Sequence, residues 1–283
     1  MSLEDDFCDI IKKARLGQSH SLAAVARQSE MSEQMLQDLE KGTRAPSQTE
    51  VQALSSALGL RSRPLMDIAT NGWEPKPSPD WIRDQSVVIT ILGDIGGYAV
   101  KGYLLFDPTT HETVMIDTGY NAQEMLSTIK QRKLTLTAIC LTHGHADHAG
   151  GLDRILAEWP VPVYLGEGDF DLLPWKPSRD RVRIPKDKET LRVGTLALEC
   201  LATPGHTPGG FCYRMPRDHQ EMCFVGDTLF AGSVGRSNPF SLYSTHLRSV
   251  RDIVLQFSEE AILLPGHGPA TTVREERVHN PFA

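Results

Sequence analysis

No apolar run in this 283-residue chain approaches the ~18 residues that a membrane span requires, which excludes an integral membrane protein built on helices. The start, MSLEDDFCDI, lacks the basic stretch and apolar core of a secretory signal, so a soluble, unprocessed, cytoplasmic protein is expected. There is no basic surplus. The formal net charge of −7 argues against a broad nucleic-acid or anionic-membrane surface. Five cysteines, Cys8, Cys140, Cys200, Cys212 and Cys223, form no C-x-x-C pair and are odd in number, which fits a reducing compartment better than a disulfide scaffold. Neither a fixed-period repeat nor a low-complexity tract occurs. No G-x-S-x-G marks a serine nucleophile.

What is present is ordinary globular material, 40% hydrophobic and 23% charged, enough for a sizeable core. The run NGWEPKPSPD at 71–80 holds three prolines and reads as a stiff connector. Before it, DIIKKAR, SLAAVARQ and MLQDLEKG carry apolar residues at helical spacing. After it, VVITIL, AVKGYLLF, TVMID, LTAICLTH, LALECLAT and MCFVGD are β-type runs alternating with helix-like segments, the mark of a layered α/β or α+β domain. The expected division is a helical domain over 1–70, a linker over 71–85 and a second domain over 86–283.

Within the first part, Ser21–Gln28 and Ser32–Lys41 read as two helices joined by a turn. Ser47 and Glu50 make a capping box, and Gly59 closes the helix that follows. This order resembles the phage-repressor-like helix-turn-helix family over roughly residues 7–69. The resemblance implies that Ser32, Glu33, Gln34, Gln37 and Asp38 would face DNA. Residues 1–72, however, carry ten Asp/Glu against eight Lys/Arg, and phosphate neutralisation drives most DNA affinity. Two readings therefore stay open, a DNA-binding module and a dimerisation or docking domain.

The stretch LTHGHADHAG puts His143, His145, Asp147 and His148 on a loop that leaves a buried strand, where α/β folds place reactive groups. One cation rarely takes four ligands from so short a segment, whereas two cations could share them if more ligands arrive. Three later strands end in glycine-containing turns that each carry one: His206 in LATPGHTPGG, Asp227 in MCFVGDTLF and His267 in ILLPGHGPA. Imidazole and carboxylate suit zinc, iron and manganese. A carboxylate can bridge two ions, which makes Asp227 the natural bridge. His20, His111, His219, His246 and His279 are read as surface or capping residues.

The H-x-H-x-D-H motif with His206, Asp227 and His267 resembles the metallo-β-lactamase superfamily over about residues 86–283, which implies an αβ/βα sandwich. The resemblance implies metal one on His143, His145 and His206, metal two on Asp147, His148 and His267, and Asp227 between them. VMIDTG, TPGHTPGG, GDTLFAGSVGRS and the E-E-R-x-x-N-P-F tail are most similar to the glyoxalase II group, hydrolases of S-2-hydroxyacylglutathione thioesters. SNPFSLYS after Arg236 departs from that group's usual aspartate and glycine-rich turn, so the thiol-side pocket is expected to differ.

The expected chemistry is thioester hydrolysis by a hydroxide bridging two divalent ions, zinc favoured with iron or manganese as alternatives, on a glutathione-type thioester. Asp147 would orient the nucleophile. Asp117 would either orient a ligand imidazole or serve as a strand-end turn residue, and Arg236 would either face an anionic substrate or pair with a local carboxylate. Cys140 is expected to pack in the strand. Two rivals share these residues: a mononuclear iron persulfide dioxygenase using His143, His206 and Asp227, and a helix-turn-helix regulator whose second domain senses a metal or thiol. A homodimer is also allowed for.

Overall fold

A computed structural model describes residues 2–70, 72–76, 87–216 and 221–283. His219 and most of the proline-rich connector lie outside the described residues. No helix among the described residues is long and apolar enough to cross a membrane.

Five helices come first: α1 (Phe7–Gly17), α2 (Leu22–Gln28), α3 (Glu33–Glu40), α4 (Gln48–Leu58) and α5 (Ser62–Ala69). Their ends are set by local chemistry. Ser21, Ser32 and Ser47 accept the backbone N–H three residues on, and Glu50 returns a bond to Ser47 N at 2.7 Å. Gly59, at φ +63°, closes α4 in the left-handed region that costs a glycine least.

Two six-stranded sheets follow. The first runs β1 (Val88–Ile95), β2 (Tyr98–Phe106), β3 (Glu112–Ile116), β4 (Thr135–Cys140), β5 (Val163–Tyr164) and β6 (Val182–Arg183) in spatial order, antiparallel through β3 and parallel thereafter. Between these strands lie α6 (Ala122–Gln131), α7 (Ala146–Ala149) and α8 (Leu152–Glu158). The second contains β7 (Thr190–Val193), β8 (Leu196–Ala202), β9 (Phe211–Met215), β10 (Met222–Gly226), β11 (Ile262–Pro265) and β12 (Thr271–Thr272), with α9 (Tyr243–Arg248) before β11 and α10 (Val273–His279) at the end.

Side-chain alternation along the strands makes this a four-layer sandwich. Tyr103, Leu105, Val114, Ile116, Ala138 and Cys140 point inward to meet Met222, Phe224, Ile262 and Leu264 from the other sheet. Their neighbours Leu104, Met115 and Ile139 point outward, against α6 and α8. Cys223, Val225 and Leu263 point outward on the second sheet and join the helical segment's Phe7, Ile11, Leu54 and Ile68 in one core. The αβ/βα architecture with a helical region ahead of it is therefore the fold. Cys140 is a buried inward residue of β4, as its apolar surroundings in the sequence indicated, and burial pushes its thiol pKa well up.

The five helices do not stand apart from the sandwich. Gly17 of α1 lies so close to Tyr243 that a Cβ there would sit 2.2 Å from the ring, so SLYS, the segment departing from the glyoxalase pattern, forms a seat for α1. Arg61 N donates to Pro281 O at 2.9 Å. Trp73, expected to lie in a bare connector, is buried, stacks on His279 at 5.0 Å and donates to Glu275 at 2.9 Å. Burying each large apolar side chain contributes about 1.5–3 kcal/mol, which holds this layer in place.

The C-terminal tail is a clamp. Glu276 is fully buried and accepts from Gly232 N (3.0 Å), Thr271 Oγ1 (2.6 Å) and Asn280 Nδ2 (2.8 Å). Asn280 Nδ2 also donates to Ser233 O at 2.9 Å, so the tail grips the turn that follows Asp227. Burial raises the Glu276 pKa from 4.5 to about 7, outweighing the three donors. The carboxyl is protonated in both folded and unfolded chains at low pH. As pH rises from about 4.5 to 7 the unfolded chain releases its proton first, so stability falls across that window and levels off above it. Glu276→Gln keeps the shape without the charge. Urea denaturation of the two proteins at pH 5 and pH 8 is expected to show the variant gaining about 2–3 kcal/mol relative to wild type at the higher pH.

Candidate metal centre

Each candidate ligand leaves the end of a strand. β4 delivers His143, His145, Asp147 and His148, β8 leads to His206, β10 to Asp227 and β11 to His267. Two buried tyrosines hold those ends from within the sandwich: Tyr213 OH donates to Leu141 O at 3.0 Å and Tyr103 OH to Pro265 O at 2.6 Å. Asp169, fully buried, ties the first loop to the His206 loop by accepting from Gly144 N, Thr207 Oγ1 and Gly209 N. No pattern in the sequence marked Tyr103, Tyr213 or Asp169, because each acts through partners distant along the chain.

All seven side chains meet. His206 Nε2 lies 3.2 Å from His143 Nε2 and 3.0 Å from His145 Nδ1. His148 Nε2 lies 3.4 Å from His267 Nε2, and Asp147 Oδ2 is 3.3 Å from the latter. Asp227 sits between, with Oδ1 3.2 Å from His148 Nε2 and Oδ2 3.6 Å from His206 Nε2. In three groups, His143/His145/His206, His143/Asp147/His148 and His148/Asp227/His267, the ligand atoms lie within 4.8 Å of one another. Gly266 makes room, since a Cβ there would stand 2.3 Å from the His148 ring and 2.7 Å from Asp227 Oδ1.

The hydrogen bonds around the rings decide which nitrogens face inward. His206 Nδ1 donates to Arg236 O at 2.7 Å, His267 Nδ1 to Ala99 O at 2.8 Å and His148 Nδ1 to Asp117 Oδ2 at 2.8 Å. Thr142 Oγ1 donates to Asp117, leaving its lone pair for His143 Nδ1 at 3.1 Å. Four Nε2 lone pairs therefore converge, and converging lone pairs repel unless a cation lies among them. Asp227 Oδ1 is buried without a hydrogen-bond partner. These donors fit divalent metal.

Electrostatics divide the four rings, disfavouring a proton on His143 and His206 and favouring one, or another cation, at His148 and His267. Burial lowers the His143 pKa far below normal and that of His206 to about 3, which keeps both neutral and able to ligate. Burial also opposes charge on His148, but Asp227 and Asp117 outweigh it and raise its proton affinity; the same negative field would attract a metal ion. Burial would raise Asp227, yet His148, His267 and His206 hold it well below the usual carboxylate range.

Asp117 lies at φ +54° at the end of β3, so it is a turn residue as well as a hydrogen-bond acceptor for His148 and for Thr142 N at 2.7 Å. Arg236 is exposed, its guanidinium 5.1 Å over the Phe240 ring. His246 is no surface residue: it is fully buried, bonded to Thr228 O (2.8 Å) and Ser237 Oγ (3.1 Å), and lies outside the cluster. Lys101 is another residue the sequence did not single out. It is buried beside the centre, held by Gly268 O, and burial pushes its pKa down to about 7 against the pull of Glu4 and Asp227.

Comparison with known proteins places this architecture. Residues 95–267 match the metallo-beta-lactamase superfamily and residues 11–65 a helix-turn-helix family. The chain belongs to the metallo-beta-lactamase superfamily. It is similar to the probable metallo-hydrolase YqgX of Bacillus subtilis, 33% identical over 66% of this chain and 94% of that protein. It is also similar to the hydroxyacylglutathione hydrolase GloC of Haemophilus influenzae, 32% identical over 63% of this chain and 90% of that one. Among solved structures, TTHA1623 in a di-iron-bound form superposes with a TM-score of 0.59 at 29% identity, covering 68% of this chain and all of that chain. The family is one of metal-dependent hydrolases.

Asp117 can be tested directly. Asp117→Asn is expected to weaken metal affinity about 10–100-fold, measured by competition against a chromophoric chelator, with unchanged far-ultraviolet circular dichroism.

Proposed function

We propose that this protein hydrolyses a thioester of glutathione or a similar small thiol at a two-metal centre. The observation that carries the reading is the position of Asp227, one oxygen toward His206 and the other toward His148 and His267. Similarity to GloC supports the substrate class. His143, His145 and His206 would hold one ion, Asp147, His148 and His267 the other, with Asp227 between them. Zinc is favoured, and iron and manganese suit the same ligands. Two such ions, when bound, lower the pKa of water toward neutrality and withdraw charge from a carbonyl oxygen.

The residues do the positioning. His145 and Asp147 are only half-buried, whereas the other five candidates are buried, so the centre opens to solvent on their side. A thioester carbonyl enters there, and Asp147 orients the attacking water. The departing thiolate needs no strong acid, because thiols are themselves acidic. Arg236, exposed over Phe240 and free of carboxylate partners among the described residues, would meet an anionic thiol carrier. Residues 1–70 form the helical domain, 71–85 the linker and 86–283 the hydrolase domain.

For the helical domain we propose a docking role, with DNA as one candidate partner. The outer face of α3 shows Glu33, Gln34 and Gln37, and Gln34 is engaged with Asp38 at 2.9 Å. Retardation of the protein's own upstream DNA at low salt, fading as salt rises, would support DNA; no retardation at low salt ends that reading.

The catalytic claim is tested with S-D-lactoylglutathione. Metal-loaded protein is expected to turn it over at least about 100-fold faster than His145→Ala. Equal rates would remove the thioesterase. Metal content of about two ions per chain is expected; one iron per chain with oxygen uptake on glutathione persulfide would replace the hydrolase with a dioxygenase.

A further inference from the structure

The segment ahead of α1 runs along the rim of the metal centre. Gly268, next to His267 and at φ +65°, has Glu4 as its neighbour: a Cβ on Gly268 would lie 3.1 Å from both Glu4 N and Glu4 Cβ. Residues on either side fasten the segment there. Leu3 packs on the helical core, and Asp5 accepts from Ser233 Oγ and Lys13 Nζ. Lys13 donates as well to Val234 O at 2.6 Å and lies 5.4 Å over Phe230, whose ring meets that of His267 at 5.8 Å. The loops after Asp227 and His267 are thus both walled by residues from the start of the chain.

Asp5 is neutralised by Lys13, but no hydrogen bond or ion pair holds the Glu4 carboxylate among the described residues. It is half-buried, and burial raises its pKa, with Asp5 and Asp227 adding to the rise and His267 and Lys13 opposing it. Lys101 is no partner for it, because its ammonium is turned to Gly268 O. The superfamily match spans residues 95–267, so the wall comes from outside it. A carboxylate at the rim without a hydrogen-bonded partner repels anions and attracts cations when ionised, and partial burial strengthens that effect.

We propose that Glu4 determines the charge selectivity of the metal pocket, favouring ligands that are neutral or cationic on the His267 side and rejecting those that carry a carboxylate there. The proposal rests on the reading that the cluster holds metal, and not on the thioesterase activity. It also gives the helical domain a part in the pocket, since the segment bearing Glu4 leads directly into α1.

Cobalt(II)-loaded full-length protein provides the test, with thiol binding read from the sulfur-to-cobalt charge-transfer band. Mercaptoacetate and 2-mercaptoethanol present the same thiol with and without a carboxylate. In Glu4→Gln the affinity ratio is expected to move toward mercaptoacetate by about 5–10-fold, and in Glu4→Lys further in the same direction. Cobalt uptake with the same ratio in all three proteins would overturn the proposal alone. Failure of the wild-type protein to take up cobalt would overturn the metal reading and the proposal together.

Discussion

Four imidazoles that spend their Nδ1 hydrogens on outward acceptors, and so aim their Nε2 lone pairs at one another, are the constraint around which this molecule is organised. Arg236 O, Ala99 O, Asp117 and Thr142 each take one of those outward bonds. The arrangement is costly unless positive charge lies inside it, and Asp227 makes the same demand from its buried Oδ1. Much of the scaffold near the centre serves to hold these groups together. Tyr103 and Tyr213 pin the strand ends, Asp169 joins two loops, and the tail residues Glu276 and Asn280 brace the turn after Asp227.

The same logic reaches the helical region. It covers the outer face of the second sheet, where Cys223, Val225 and Leu263 would otherwise meet water. Its contacts fall on the loops after Asp227 and His267 and on the tail that braces the first of them. Ser233, Val234 and Gly268 are bonded to it or packed against it and sit a few residues from Asp227 and His267.

Local patterns in the sequence determined a great deal. Capping residues Ser21, Ser32, Ser47 and Glu50 and the closing Gly59 bound the helices because their bonds span only three or four residues. Short apolar β-type runs marked β1, β2, β3, β4, β8 and β10, and a ligand-bearing glycine turn after each of four strands picked out the candidate donors. The family tail was legible as a pattern but not as a device: nothing local says that Glu276 is buried or that it grips Gly232.

Tertiary structure alone decided the rest. That His206, Asp227 and His267 meet the His143–His148 loop depends on two sheets packing face to face, which no local spacing encodes. Asp169, Lys101 and Tyr213 gained their roles from partners far along the chain, His246 became a core residue, and Trp73 left the connector to stack on His279. Glu4 shows the division best. As sequence it is one acid in an acidic start, and only the path of the chain over Gly268 brings it to the loop after His267, because such contacts depend on distance in space and not on separation along the backbone.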